Sequence, residues 1–141
     1  MIGPITDKNY YEYLLQTVEK LNLTDKIFFH PKTNDVINVL KRFDLFLLTS
    51  KYEGFPNTIL DAVVANIPIL SSNCDFGPRE IVEKYNVGLL YEINDKHGII
   101  NGITRIMKKE VSFDQNGYYK IISKFNIEQV YKIFHKKIVE L

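Results

Sequence analysis

The densest run of chemically useful side chains is Ser50-Lys51-Tyr52-Glu53-Gly54-Phe55-Pro56-Asn57-Thr58-Ile59-Leu60-Asp61-Ala62. Glu53 is an acid set among turn-forming residues, and Gly54 lets the backbone turn sharply or approach a ligand with no side chain in the way. Asn57 or Thr58 is placed to cap a helix starting there. The N–H groups of Thr58, Ile59 and Leu60 would then be free, and a helix start of that kind attracts phosphate. Asp61 is expected in the first turn, bringing a second carboxylate to the same place. Acids that accept from hydroxyls, beside amides that hold phosphate, suit a phosphorylated, hydroxyl-rich ligand. A plainer reading stays open. An acid in a first helical turn often only complements the macrodipole, and a loop glutamate is often only solvated.

A second loop, Asn73-Cys74-Asp75-Phe76-Gly77-Pro78-Arg79-Glu80, carries another turn glycine, Gly77, and Pro78 fits the first turn of a following helix. Glu80 is either a ligand contact or an acid at a helix start. His97 and His135 lack partners at metal-ligand spacing and read as structural. Cys74 has no paired histidine pattern and reads as a small loop residue. No phosphate-binding P-loop, GxGxxG, HExxH or GxSxG pattern occurs.

The elements that must position these loops are legible in the hydropathy pattern. Tyr10, Leu14, Val18 and Leu21 predict a helix over 8–22. Residues 26–30 predict a short strand ending at Pro31, and Thr33 can cap a helix carrying Val36, Val39 and Leu40. Leu45-Phe46-Leu47-Leu48 reads as a central strand buried on both faces. A helix over 58–65, a strand over 67–70, a helix over 79–85 and a strand over 88–91 follow. Helical stretches near 96–109, 114–124 and 127–139 close the chain, the last with Ile127, Val130, Tyr131, Phe134 and Ile138 as an apolar stripe. Strands alternating with helices predict an α/β domain with a Rossmann-like parallel sheet flanked by helices. Both loops then fall on the carboxyl edge of the sheet, where such folds bind ligands.

Composition sets bounds. The 141 residues are one domain's worth, 45% hydrophobic and 25% charged, with a net charge of +1 that argues against a nucleic-acid partner. One cysteine excludes an intramolecular disulfide and fits a reducing compartment. The first residues lack signal-peptide blocks, and no apolar run reaches spanning length, so a cytoplasmic location is expected. The 15 lysines and 12 asparagines read as a compositional skew. Lys108-Lys109 and Lys136-Lys137 accordingly read as solvated faces.

The run Tyr52 to Ala62 resembles the signature loop of glycosyltransferase family 4, retaining transferases of the GT-B fold. Further pieces are similar to the family in the same order: Ile2-Gly3-Pro4, Leu23 to Phe29, Phe43 to Ser50, Pro68 to Ser72, Gly77 to Val82 and Val87 to Leu90. The resemblance covers nearly the whole chain and identifies it with the C-terminal, donor-binding half of a GT-B fold. It implies that Glu53 is the catalytic-site acid that contacts donor-sugar hydroxyls. Gly54 and Phe55 then lie against the sugar, Pro56 counts among the nucleotide-sugar contacts, and Asn57, Thr58 and Ile59 form the helix start that holds the diphosphate. Asp61 matches the family's second acid, a glutamate that bonds the ribose, but is one methylene shorter. Gly77 completes the nucleotide-sugar contacts, and His30, Pro31 and Lys32 frame the base largely through backbone. The second loop is similar to that of members transferring N-acetylhexosamines or galactose to lipid-linked or capsular glycans.

The implied activity is retaining transfer from a nucleotide-diphosphate sugar, a UDP-sugar in the first instance, without a cofactor or metal. In the family, an Arg and a Lys on a preceding βα unit neutralise the diphosphate, and an N-terminal domain holds the acceptor and a catalytic histidine. Neither matches this chain. Residues 1–141 are therefore expected to be a partial nucleotide-sugar-binding domain, active with an N-terminal acceptor domain or partner chain and membrane-associated only through it. The alternative is a truncated, non-catalytic binding module.

Overall fold

The computed structural model describes residues 1–126. The helix expected over 127–139, with His135 and Lys136-Lys137 in it, lies outside the described residues. The chain divides into two compact units, residues 1–36 and the remainder from Ile37.

In the first unit, α1 (Lys8–Lys20) begins at Asp7, whose carboxylate accepts from the Tyr10 N–H at 3.0 Å. The strand expected over 26–30 is reduced to one parallel bridge between Ile2 and His30. Residues 22–26 are used up in turns after α1, and Asn22 sits in the left-handed region at φ 54°. Tyr11 and Phe29 meet edge to face, with ring centroids 5.2 Å apart. Thr33 Oγ1 accepts from the Asp35 N–H at 3.1 Å ahead of the short helix α2 (Val36–Leu40).

The second unit carries the sheet: β1 (Phe46–Leu48), β2 (Ile69–Ser72) and β3 (Gly88–Tyr91), all parallel, in the order β1-β2-β3. The intervening helices are α3 (Asn57–Val64) and α4 (Pro78–Val82), and α5 (Lys96–Met107) and α6 (Gln115–Lys124) follow. In register, Leu47 faces Leu70, and Ile69 and Ser72 face Gly88 and Tyr91. Every residue of β2 is buried, as its central position requires. β1 departs from expectation. It is an edge of this sheet, and Leu47 is 40% exposed, because the apolar run has a neighbouring strand on one side only.

Ile59 and Val63 of α3, Ile69 and Leu70 of β2, Val82, Val87 and Ile121 are essentially inaccessible. Each contributes roughly 1.5–3 kcal/mol by leaving water. The helix α5 packs on β2 and β3, where Leu70, Tyr91 and Ile106 form a cluster with Ile99, Ile103 and Phe113. The helix α6 packs on α3, and its Tyr118 hydroxyl donates to Val87 O at 3.0 Å and Ile67 O at 3.3 Å. Those carbonyls lie just before β3 and β2, so α6 is fastened at the amino edge, opposite the loops of interest.

Asparagine also has a use that composition did not show. Asn22, Asn66, Asn86 and Asn94 take positive φ at turns, where asparagine is tolerated better than most residues.

Candidate functional site

Parallel β1 and β2 bring the loops Ser50–Pro56 and Asn73–Gly77 to one edge, and three sets of contacts lock them there. Ser72 Oγ donates to Ser50 O at 2.6 Å, and the Tyr91 hydroxyl donates to Leu48 O at 3.0 Å, tying all three strand ends together. Burial pushes the Tyr91 phenol above its ordinary range, and the hydrogen bond to Ser72 acts against that shift. The Asn73 N–H donates to Tyr91 O at 2.7 Å, Asn73 Nδ2 to Glu92 Oε1 at 2.8 Å, and Arg79 Nε to Asn73 Oδ1 at 3.1 Å. The third set joins the loops directly. Gly77 has φ 97°, and a Cβ there would run into Pro56 Cδ, stand 2.9 Å from Pro56 Cγ and 3.3 Å from Gly54 O. Only glycine takes that backbone and that contact without strain.

Gly54 is the reverse case. Its φ is not in the left-handed region, and a Cβ there would meet nothing within 4 Å. Nothing among the described residues requires glycine at this position, and the space before it is open. Glu53 is half-buried and has no hydrogen-bond or ion-pair partner among the described residues. Phe55 is exposed on one side, and Phe125, at the end of α6, tilts against it with centroids 5.4 Å apart.

The helix start differs from expectation. Pro56, fully buried, is the N-cap of α3, and no side chain caps the helix, so neither Asn57 nor Thr58 serves. Pro56 fills the position because Gly77 packs on its ring. The Asn57 N–H donates to Phe55 O at 2.8 Å and the Ile59 N–H to Pro56 O at 2.9 Å. Thr58 therefore offers the free amide of this first turn, Leu60 already being inside the helical ladder, and Ile59 turns its side chain into the core. With Asn57 as the first helical residue, Asp61 falls in the second turn. It is half-buried, and desolvation raises its carboxyl above the ordinary 3.8.

Glu80 is exposed in the first turn of α4, and His97 is exposed in the first turn of α5. Cys74 is buried in the second loop. Among the described residues no three His, Cys, Asp or Glu side chains gather as metal ligands, and no helix is long and apolar enough to cross a membrane. His30, Pro31 and Lys32 belong to the first unit. There His30 and Pro31, with Gly3, Pro4 and Tyr11, line a hollow of about 470 Å³. The sequence reading missed Asn73, Arg79, Glu92 and Tyr91 as the residues that hold the edge. Their polar tips lie on elements 6–43 residues from their partners, and no local pattern marks such ties.

Comparisons with known proteins place this arrangement. The family described as glycosyl transferases group 1 matches residues 1–123. A UDP-Gal:alpha-D-GlcNAc-diphosphoundecaprenol alpha-1,3-galactosyltransferase from Escherichia coli is 34% identical over 121 residues, which are 84% of this chain and 30% of the relative. The apo form of the lipopolysaccharide outer core galactosyltransferase WaaB superposes with a TM-score of 0.80 at 25% identity, over 99% of this chain and 39% of that one. Anabaena HepE in complex with UDP-glucose gives a TM-score of 0.84 at 20% identity, over 99% of this chain and 40% of that one, a likeness of fold. These neighbours have the GT-B fold. The chain thus spans about a third of the length of the proteins it matches.

Proposed function

The chain belongs to the glycosyl transferases group 1 family, and we propose that it supplies the donor-binding part of a glycosyl transfer from a nucleotide-diphosphate sugar to a glycan or lipid-linked acceptor. The donor is a UDP-sugar of the galactose or N-acetylhexosamine type. The observation that carries this reading is the seating of Gly77 on Pro56 and the Gly54 carbonyl, which joins two loops at the carboxyl edge while the space before Gly54 stays open. The Escherichia coli relative, named for transfer from UDP-Gal, and HepE, solved with UDP-glucose, favour this donor class.

The residues divide the task by chemistry. The Glu53 carboxylate accepts from sugar hydroxyls, and the Gly54-Phe55-Pro56 backbone lies against the ring. The Thr58 N–H, at the positive end of α3, holds phosphate oxygens. Asn57 and Ile59 set the shape of that helix start, and Gly77 keeps it open. Asp61 accepts from a ribose hydroxyl from the second turn of α3, and that bond offsets its desolvation. The Phe55–Phe125 contact backs the loop.

In the transfer, the bond from the anomeric carbon to the diphosphate breaks and a bond to the acceptor oxygen forms on the same face. The acceptor's proton leaves with the nucleoside diphosphate. The chemistry runs without a metal or cofactor, on charge stabilisation by aligned amides and by cationic groups contributed with the acceptor by a further domain or partner chain.

Calorimetric titration with UDP-galactose, UDP-N-acetylglucosamine, GDP-mannose and UDP tests the donor site. The expected result is binding of the UDP ligands, unchanged by EDTA, and weaker binding of GDP-mannose. Absence of binding at millimolar ligand overturns the reading.

A further inference from the structure

Three aromatic side chains stand out from the two edge loops: Tyr52 at 84% exposure, Phe76 at 77% and Phe55 at 51%. Phe55 already has Phe125 against its ring. Phe76 is set apart by its backbone. Among the described residues, outside glycine, positive φ occurs at four asparagines, at Lys109 and at Phe76, whose φ is 62°. A bulky aromatic in the left-handed region costs free energy that glycine or asparagine would avoid. Its ring makes no aromatic contact among the described residues, so packing does not repay that cost.

The loop is nonetheless held in place. Three residues before Phe76, Asn73 bonds to Tyr91 and Glu92. Three residues after it, Arg79 donates back to Asn73, and the adjacent Gly77 abuts Pro56. A large apolar ring is therefore presented to water on a fixed support, one residue from the contact that joins the loops. Strain of this kind persists where a bound ligand draws on it.

A pyranose ring supplies the matching chemistry. Its rim of hydroxyls suits the Glu53 carboxylate, which has no partner among the described residues, and its C–H face suits an aromatic plane. We propose that Phe76 is a specificity-determining residue that lays its ring against the C–H face of a bound hexose. This assignment rests on reading the two loops as a nucleotide-sugar site. Galactose, whose axial hydroxyl leaves three ring hydrogens together on one face, gains more from such a plane than glucose.

The test compares wild type with Phe76→Asn, which relieves the backbone, and Phe76→Tyr, which keeps the plane. Calorimetry uses UDP, UDP-galactose, UDP-glucose and, on UDP-loaded protein, methyl galactoside. Expected for Phe76→Asn are an unchanged or higher melting temperature, UDP binding within twofold, and at least fivefold weaker UDP-galactose binding with its preference over UDP-glucose reduced. Phe76→Tyr stays within twofold throughout. A loss confined to methyl galactoside assigns the same contact to the acceptor sugar. If wild type binds UDP and UDP-galactose but Phe76→Asn weakens neither sugar ligand, the assignment falls alone. If Phe76→Asn melts below wild type, the ring is a packing residue and the assignment also falls. If wild type binds neither UDP nor any sugar, the site reading falls and takes the assignment with it.

Discussion

Glu53, Gly54 and Asp61 each have a feature that folding does not explain. The Glu53 carboxylate is half-buried without a partner among the described residues. A bond from a sugar hydroxyl to a charged acceptor contributes about 1.5–3 kcal/mol. Glu53→Ala is accordingly expected to weaken UDP-galactose binding by about tenfold or more while leaving UDP nearly unaffected. Equal losses for both ligands in calorimetry would remove the sugar contact. Gly54 has no left-handed backbone and, among the described residues, no close neighbour. Gly54→Ala should therefore raise stability by about 0.4–1 kcal/mol through the unfolded chain. The same variant should lose sugar-nucleotide binding, because the new methyl occupies the open space, and urea denaturation beside calorimetry reads both effects.

For Asp61 the sign follows from burial. A carboxyl raised above 3.8 contributes stability that is fully present below 3.8 and is lost as pH rises through the raised value. Ionised Asp61 thus costs stability in the empty protein at neutral pH. Asp61→Asn is expected to be more stable than wild type at pH 7 in urea denaturation, with the gap closing as pH falls toward 3.8. A gap that widens on acidification would contradict the burial account.

Elements decide which of these residues meet, and here the sequence was only partly legible. The alternation of strands and helices, the parallel sheet and the two loops on one edge follow from hydropathy and turn residues, and the structure has them. The start of α3 was misplaced because Asn57 and Thr58 are good caps locally. The buried Pro56 takes the position through a contact with Gly77, a residue 21 positions away that no local rule connects to it. Moving the start by one residue also moved Asp61 out of the first turn. β1 reads as central because four apolar residues in a row look the same in a central and an edge strand. The Asn73–Arg79–Glu92 and Tyr91–Leu48 ties depend on which strand ends adjoin, which follows only from the assembled sheet.

The opposite edge gives an element-scale prediction. Burial pushes the Tyr118 phenol up to about 12, so its contribution is intact below its ordinary 10.0 and is lost as pH rises through about 12. Tyr118→Phe leaves Val87 O and Ile67 O without this donor and should cost about 1 kcal/mol at neutral pH. It should also flatten the fall in stability between pH 10 and 12, followed by urea denaturation. An unchanged alkaline profile would detach Tyr118 from that edge.

Taken whole, the chain has a formal charge of only +1, so a diphosphate is not drawn in by a broad basic field. On the proposed reading its attraction comes from oriented amides at one place, in a chain that spans about a third of the length of its relatives. That makes the location of the bound phosphates the point on which the account turns. Amide NMR of the ¹⁵N-labelled protein titrated with UDP-galactose locates them. The N–H resonances of Thr58 and Gly77 should shift together and saturably, while those of Ile106, at the end of α5, and Tyr118, tied to the amino edge, stay in place. Saturable binding that leaves the Thr58 and Gly77 amides unmoved would contradict it.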